Sequence, residues 1–159
     1  MSEFHYVAGT GASTTLLASP VADAFAGTIY TDVISMELYE EALFTCYWGV
    51  GTTGTFTATV ESCDDFTPSA TQAVEFEYKR VSAGETNTKW TAATSAGFTT
   101  TAGSHQAYII RAKAENQYLN YPNVRLKCVE VANAALLGGC LIQMAKPSYD
   151  REVLDAVTA

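Results

Sequence analysis

Few residues in this chain could do covalent or metal chemistry. His5 and His105 are the only histidines, and Cys46, Cys63, Cys128 and Cys140 the only cysteines. No cysteine pair has the Cys-x-x-Cys spacing of a zinc site, and two histidines are too few to complete one. No metal site is expected, and the cysteines read as small buried apolar residues of a reducing compartment. Ser104 stands beside His105. A nucleophile and its base also need an orienting group and an oxyanion hole, and no Gly-x-Ser-x-Gly motif supplies them. The adjacent acids Glu40-Glu41 and Asp64-Asp65 are neighbours along the chain. A glycosidase pair must instead face across a cleft. Asp64-Asp65 precedes Phe-Thr-Pro, which fits a turn closed by aspartate hydrogen bonds better than a calcium loop. GTGAS (9–13) has the glycines of a phosphate loop but no lysine, preceding strand or following helix. The chain is therefore expected to be non-enzymatic, without catalytic residue or cofactor. A hydrolase with an unrecognised site is the remaining chemical alternative.

Residues suited to contact are more numerous. Trp90 lies in a polar stretch, and Tyr118 and Tyr121 lie in ENQYLNYP between two strand-like segments. All three are expected to be exposed, where aromatic rings anchor protein partners or stack on sugars. Trp48 shares parity with Phe44 and Cys46 and belongs to the core. Arg111, Lys113, Arg125 and Lys127 would lie side by side if segments 105–115 and 123–131 paired. Like charges directly opposite are unfavourable, so acids such as Glu75 and Glu77, or the acidic surface of a partner, must neutralise them.

The elements that position these residues follow a period of two. Strands are expected near 28–34, at ALFTCYWGV (42–50), GTTGTFTATVESC (51–63), AVEFEYKRV (73–81), 88–92, 96–101, HQAYIIRAKAE (105–115), NVRLKCVEV (123–131) and ALLGGCLIQM (135–144), the last with a Gly-Gly kink or bulge. VGTTG reads as a hairpin turn between the second and third. Thr55, Thr57 and Thr59 then form the outer face of a neutral, unguarded hairpin, which suggests that something covers it. Cys46 and Cys63 could face each other across it. The fold class is all-β: an antiparallel β-sandwich, jelly-roll-like, of residues 28–144. An extended N-terminal arm (1–27) precedes it and a short C-terminal tail (145–159) follows it.

At 159 residues the chain is long enough for one domain with a real core. Its charged fraction of 16% lies below the ~25% of ordinary soluble domains. That suits a surface covered by a partner or by copies of itself. The net charge of −8 argues against nucleic acid, since phosphate contacts need clustered Lys and Arg. No segment is apolar enough to span a bilayer, and STTLLASPVADAFAG lacks the positive flank of a signal peptide. No membrane partner is expected. Eleven of the seventeen acids and none of the nine bases fall in residues 1–78. Either strands of the two halves interleave and neutralise each other, or an acidic face of one copy meets a basic face of the next.

The run ALFTCYWGVGTTGTFTATVESCDDFTPSAT, followed by YIIRAKAENQYLNYPNVRLKCVEVANAALLGGCLIQ, resembles the small decoration, or cement, proteins of tailed bacteriophages. VESCDD (60–65) and YPNVRL (121–126) carry the likeness, which covers roughly residues 28–144. The longer arm and the extra tail depart from that pattern and leave tail or neck placement open. The resemblance implies a structural virion protein made in the host cytoplasm and bound to the capsid surface. It implies a homo-oligomer, often a trimer, that contacts the major capsid protein and stabilises the head. The arm and the tail would serve as straps. A carbohydrate- or receptor-binding module of a phage tail or fibre, using Trp90, Tyr118 and Tyr121, is the alternative.

Overall fold

The computed structural model describes the backbone of residues 6–8 and all of residues 22–82 and 89–147. Among these residues the chain forms an antiparallel β-sandwich. The strands are β1 (Tyr6–Ala8), β2 (Thr28–Tyr30), β3 (Ile34–Ser35), β4 (Tyr39–Val50), β5 (Thr55–Cys63), β6 (Thr71–Val74), β7 (Phe76–Ser82), β8 (Thr91–Ala93), β9 (Phe98–Thr99), β10 (Gln106–Lys113), β11 (Asn123–Ala132) and β12 (Leu137–Pro147). A 3-10 turn, Ala114–Asn116, follows β10. One sheet has the order β1-β12-β4-β10-β7-β8. The other has the order β2-β11-β5-β6, with β3 also on β11 and β9 also on β5.

Strict alternation of side chains builds the core. Phe44, Cys46 and Trp48 of β4 face Phe56, Ala58 and Val60 of β5 across the sandwich, all within 2% of full burial. Tyr108, Ile110 and Ala112 of β10 and Val124, Leu126 and Cys128 of β11 point inward as their spacing predicts. Burying each large side chain is worth about 1.5–3 kcal/mol. Trp48 stands at the centre, stacked near Tyr108 (5.8 Å between ring centroids) and edge-on to Phe56 (5.7 Å). Its indole Nε1 donates to the Gly103 carbonyl (2.7 Å), which satisfies its one polar atom.

Several expectations about pairing fail. β4 and β5 do not form a hairpin. β4 lies between β12 and β10, whereas β5 lies between β11 and β6/β9 of the other sheet. VGTTG is an arch from one sheet to the other. A Cβ on Gly54 would collide with the Ala134 carbonyl and the Leu136 side chain, so the arch packs too tightly for a side chain. β5 is thus not an unguarded edge. Its outer threonines are half-buried, and Thr57 and Thr99 share a hydroxyl hydrogen bond of 2.8 Å. β10 and β11 likewise lie in different sheets. Segment 73–81 is two strands: β6 and β7 belong to opposite sheets, and the chain crosses at Glu75. The Gly-Gly bulge is present, with a register shift between Leu137 and Gly138. Gly138 presses on the Tyr47 carbonyl where no Cβ fits.

The ends of the sandwich also differ from the reading. Tyr6–Ala8, placed with the arm by sequence, pair with Leu141–Gln143 of β12. Ala24 and Phe25 enter the core. Phe25 stacks on Phe56 at 4.2 Å and meets Trp48 edge-on at 6.1 Å. Ala145, Lys146 and Pro147 complete β12. GTGAS and residues 148–159 of the tail lie outside the described residues, as does most of SAGETNTK.

Candidate functional site

Two constellations on the surface gather the residues singled out by sequence: the outer faces of the sheets, and the loop end where β5 finishes and β11 begins. The outer faces hold the four basic residues. On the first sheet, Arg111 of β10 stands directly opposite Glu77 of β7. The Arg111 Nε donates to Glu77 Oε2 at 2.9 Å, and a second guanidinium nitrogen bonds the same oxygen. Lys113 approaches Glu77 (3.6 Å) and Glu115 (3.5 Å). Glu41 of β4 adds a second carboxylate, 3.9 Å from Arg111 and 2.6 Å from Lys146. The hydrogen bond from Arg111 holds the Glu77 carboxyl below its ordinary range.

The second sheet repeats the design. Arg125 of β11 stands opposite Glu61 of β5. Its Nε and one terminal nitrogen donate to Glu61 Oε2 at 2.9 and 2.7 Å. Lys127, two residues on, reaches the other Glu61 oxygen at 3.5 Å. An aromatic ring covers each arginine. Trp90 lies 4.2 Å from the Arg111 guanidinium and 5.0 Å from Lys79, and Tyr30 lies 4.1 Å from that of Arg125. So Arg111 and Lys113 are not beside Arg125 and Lys127. Each pair is neutralised by acids from the acidic half of the chain. Glu77 was anticipated among these acids; Glu41 and Glu61 were not. Trp90 is half-buried beneath cations, so its face is not open to a sugar.

The loop end is different in kind. Tyr118 is 55% exposed and Leu119 is 81% exposed. Tyr121 is half-buried, with its ring 5.4 Å from that of Tyr118 and tilted by 57°. The four residues Tyr118 to Tyr121 form a tight turn: the Tyr121 N–H donates to the Tyr118 carbonyl at 3.0 Å. Asn120 has φ of 70°, the left-handed region that Asn tolerates best after Gly. The Tyr118 N–H donates to Ser62 Oγ (3.3 Å), which fixes the turn to the end of β5. Beside it, Leu38, Phe66 and Pro122 line a cleft of about 280 Å³ with Glu37. Sequence reasoning missed Leu119, Phe66 and Leu38. The available signal was an apolar residue inside a turn, where no strand period explains it.

The candidate reactive groups are used in structure. Ser104 Oγ donates to the Gly51 carbonyl and accepts from the Gly51 N–H, so its hydroxyl closes a loop. Asp64 accepts from Ser69 Oγ (2.6 Å), the Ser69 N–H and the Ala70 N–H. The Ser69 hydroxyl in particular holds its carboxyl below the usual range. Cys46 and Cys63 are in different sheets. Cys46 instead lies against Cys140 (Sγ–Sγ 3.6 Å) within the core. Hydrogen bonding with Cys128, then burial, pushes the Cys46 thiol up; hydrogen bonding with Cys46, then burial, does so for Cys140. Burial pushes Cys63 up to about 11. Thiols so protonated at neutral pH are poor nucleophiles. Among the described residues, no three His, Cys, Asp or Glu side chains gather to hold a metal.

Comparison of the chain with protein-family models, with curated proteins and with solved structures finds no match.

Proposed function

We propose that this chain is a structural, non-enzymatic protein of a phage head: a decoration or cement protein that binds the shell of major capsid protein as a homo-oligomer. One observation carries the reading. VESCDD and YPNVRL, the two stretches that resemble cement proteins, lie 56 residues apart yet form adjacent strands, with Glu61 opposite Arg125 and Cys63 opposite Asn123. They join through the Glu61–Arg125 ion pair and together frame the loop end that presents Leu119 and Phe66. Apolar side chains held out by a rigid scaffold are what a docking protein needs. Many copies, each burying area at ~25 cal/mol per Å², would sum to a large resistance against shell expansion.

The test is co-sedimentation of the purified chain with empty phage heads that carry the major capsid protein and lack this chain. Saturable binding that raises the temperature of head disruption is expected. Recovery of the whole protein in the supernatant at every concentration would sink the proposal.

The exposure of Tyr118 favours a second reading, a carbohydrate- or receptor-binding module of a tail or fibre. The 57° tilt between Tyr118 and Tyr121 does not make one flat platform, and Trp90 is occupied by Arg111. Binding on a glycan array that is abolished by Tyr118→Ala would favour this reading over the first.

A further inference from the structure

We infer that the Leu119–Phe66 loop end is the surface by which this chain docks, and that its partner is a protein surface with an apolar socket edged by lysine or arginine. The inference rests on the cement-protein reading and adds to it the face and the chemistry of attachment.

Three observations lead to it. First, Leu119 (81% exposed) and Phe66 (62%) are the two most exposed large apolar side chains among the described residues, and Tyr118 (55%) adjoins Leu119; Val50 and Val131 (61% each) lie apart, at the finishing ends of β4 and β11. Second, the scaffold holds them in place. Leu119 occupies the second position of the 118–121 turn, closed by the Tyr118–Tyr121 hydrogen bond and tied to Ser62. The Met36 N–H donates to the Pro122 carbonyl at 2.9 Å, which ties the β3–β4 turn to the same place. The Phe66 loop is braced by the three bonds that Asp64 accepts and by the Phe66 N–H donating to Asp65 Oδ1 (2.6 Å). A loop whose backbone is already ordered loses little backbone entropy on binding. Third, the charge at the cleft beside Phe66 has one sign, while Lys113 and Lys146 line a separate cleft with Glu40, Glu41 and Glu115. Glu37 lines the cleft with Phe66 and Leu38, Asp65 precedes Phe66, and no lysine or arginine lines that cleft.

The sign selects the occupant. A second copy docking by the same end would bring Glu37 and Asp65 against their own equivalents, which costs affinity. The outer faces of another copy offer little in exchange, because Arg111, Lys113, Arg125 and Lys127 are already paired within the chain. A partner with unspent cations around an apolar socket fits best.

The experiment is the same co-sedimentation with heads, run with the full-length chain and three variants: Leu119→Ser, Leu119→Ser with Phe66→Ser, and Glu37→Lys. Urea midpoints are measured in parallel. The double variant is expected to lose affinity by about tenfold or more, and Leu119→Ser alone, in a solvent-facing turn position, by a smaller factor with an unchanged midpoint. Glu37→Lys is expected to weaken binding by about threefold at low salt and less at high salt. Wild-type binding that Leu119→Ser and the double variant leave intact overturns this inference but not the cement reading. Failure of the wild type to bind heads overturns the cement reading and the inference with it. Tighter binding by Glu37→Lys overturns the basic rim. A wild-type dimer that the double variant converts to monomer, seen by light scattering, overturns the choice of partner in favour of a second copy.

Discussion

The outer faces of the two sheets and the loop end at Leu119 use opposite means to present a surface. On the faces every arginine that sequence marked for contact is turned to internal work: Arg111 on Glu77 and Arg125 on Glu61, each under an aromatic ring. At the loop end the chain uses a left-handed Asn120, a serine anchor and an aspartate brace to hold apolar side chains away from the core. Charge that has found its partner inside the molecule has little left to offer outside. Apolar area left in water still has its burial free energy to gain. The faces are therefore read as parts of the fold and the end as the part for meeting another molecule.

The two faces themselves differ, and the largest expected effect tests that. Glu61 serves both Arg125 and Lys127, and its side chain is 9% exposed. No second carboxylate is placed against Arg125 among the pairs described on that sheet. Glu61→Ala is expected to cost about 2–3 kcal/mol, because it leaves a mostly covered guanidinium without its partner. Urea unfolding measures it, and a loss below about 0.5 kcal/mol would show that the face is not structural.

Next in size is a change at the end. Asn120→Val places a β-branched residue at φ 70°, which costs about 1–2 kcal/mol. Asn120→Gly is expected to be neutral. Equal stability of the valine and glycine variants would mean that the turn is not held in the left-handed geometry.

A smaller effect is expected at Glu77, whose side chain is 28% exposed and whose partner Arg111 also has Glu41 within 3.9 Å. Glu77→Gln should cost about 1 kcal/mol or less at neutral pH. The sign with pH follows from the lowered carboxyl. Below its ordinary value of 4.5 the unfolded chain takes up the proton before the folded one. The stability from the Glu77–Arg111 bond is thus complete above that pH and lost as pH falls through the folded value. Melting temperature against pH should therefore fall less steeply in acid for Glu77→Gln than for the wild type. Parallel acid limbs would remove Glu77 from the account.

What the sequence discloses and what it hides divide along the range of the forces involved. Alternation is local, so the inward faces of β10 and β11 and the core place of Trp48 could be read directly, as could the all-β class. Partner choice is not local. The glycines of VGTTG signal a turn in chain direction, and that signal is the same for a hairpin within a sheet and an arch between sheets. The neighbour that decides it, the Ala134–Leu136 stretch, is some eighty residues away. The Cys46–Cys63 facing failed with that choice, and the Arg111–Arg125 facing failed on the same ambiguity at the separate β10–β11 connection. Phe25 was hidden because a single aromatic in a Gly/Ala-rich stretch has no period, though one such side chain can fill a core. The site was partly legible: Tyr118 and Tyr121 were marked by lying between strands. Leu119 was passed over because it is aliphatic, although a Leu that no strand pattern needs is the better sign.

The smallest expected effect on stability is the one that most sharpens the contrast. If the end exists for contact, its foremost side chain should be dispensable for folding. Leu119 stays 81% exposed in the folded chain, so Leu119→Ser should change stability by no more than about 0.5 kcal/mol in urea. The same replacement at a covered apolar position such as Leu126, which is fully buried, should cost about 3 kcal/mol or more. A cost at Leu119 approaching that at Leu126 would mean that the turn packs on something within the molecule. The distinction between a face that holds the fold and an end that reaches beyond it would then be gone.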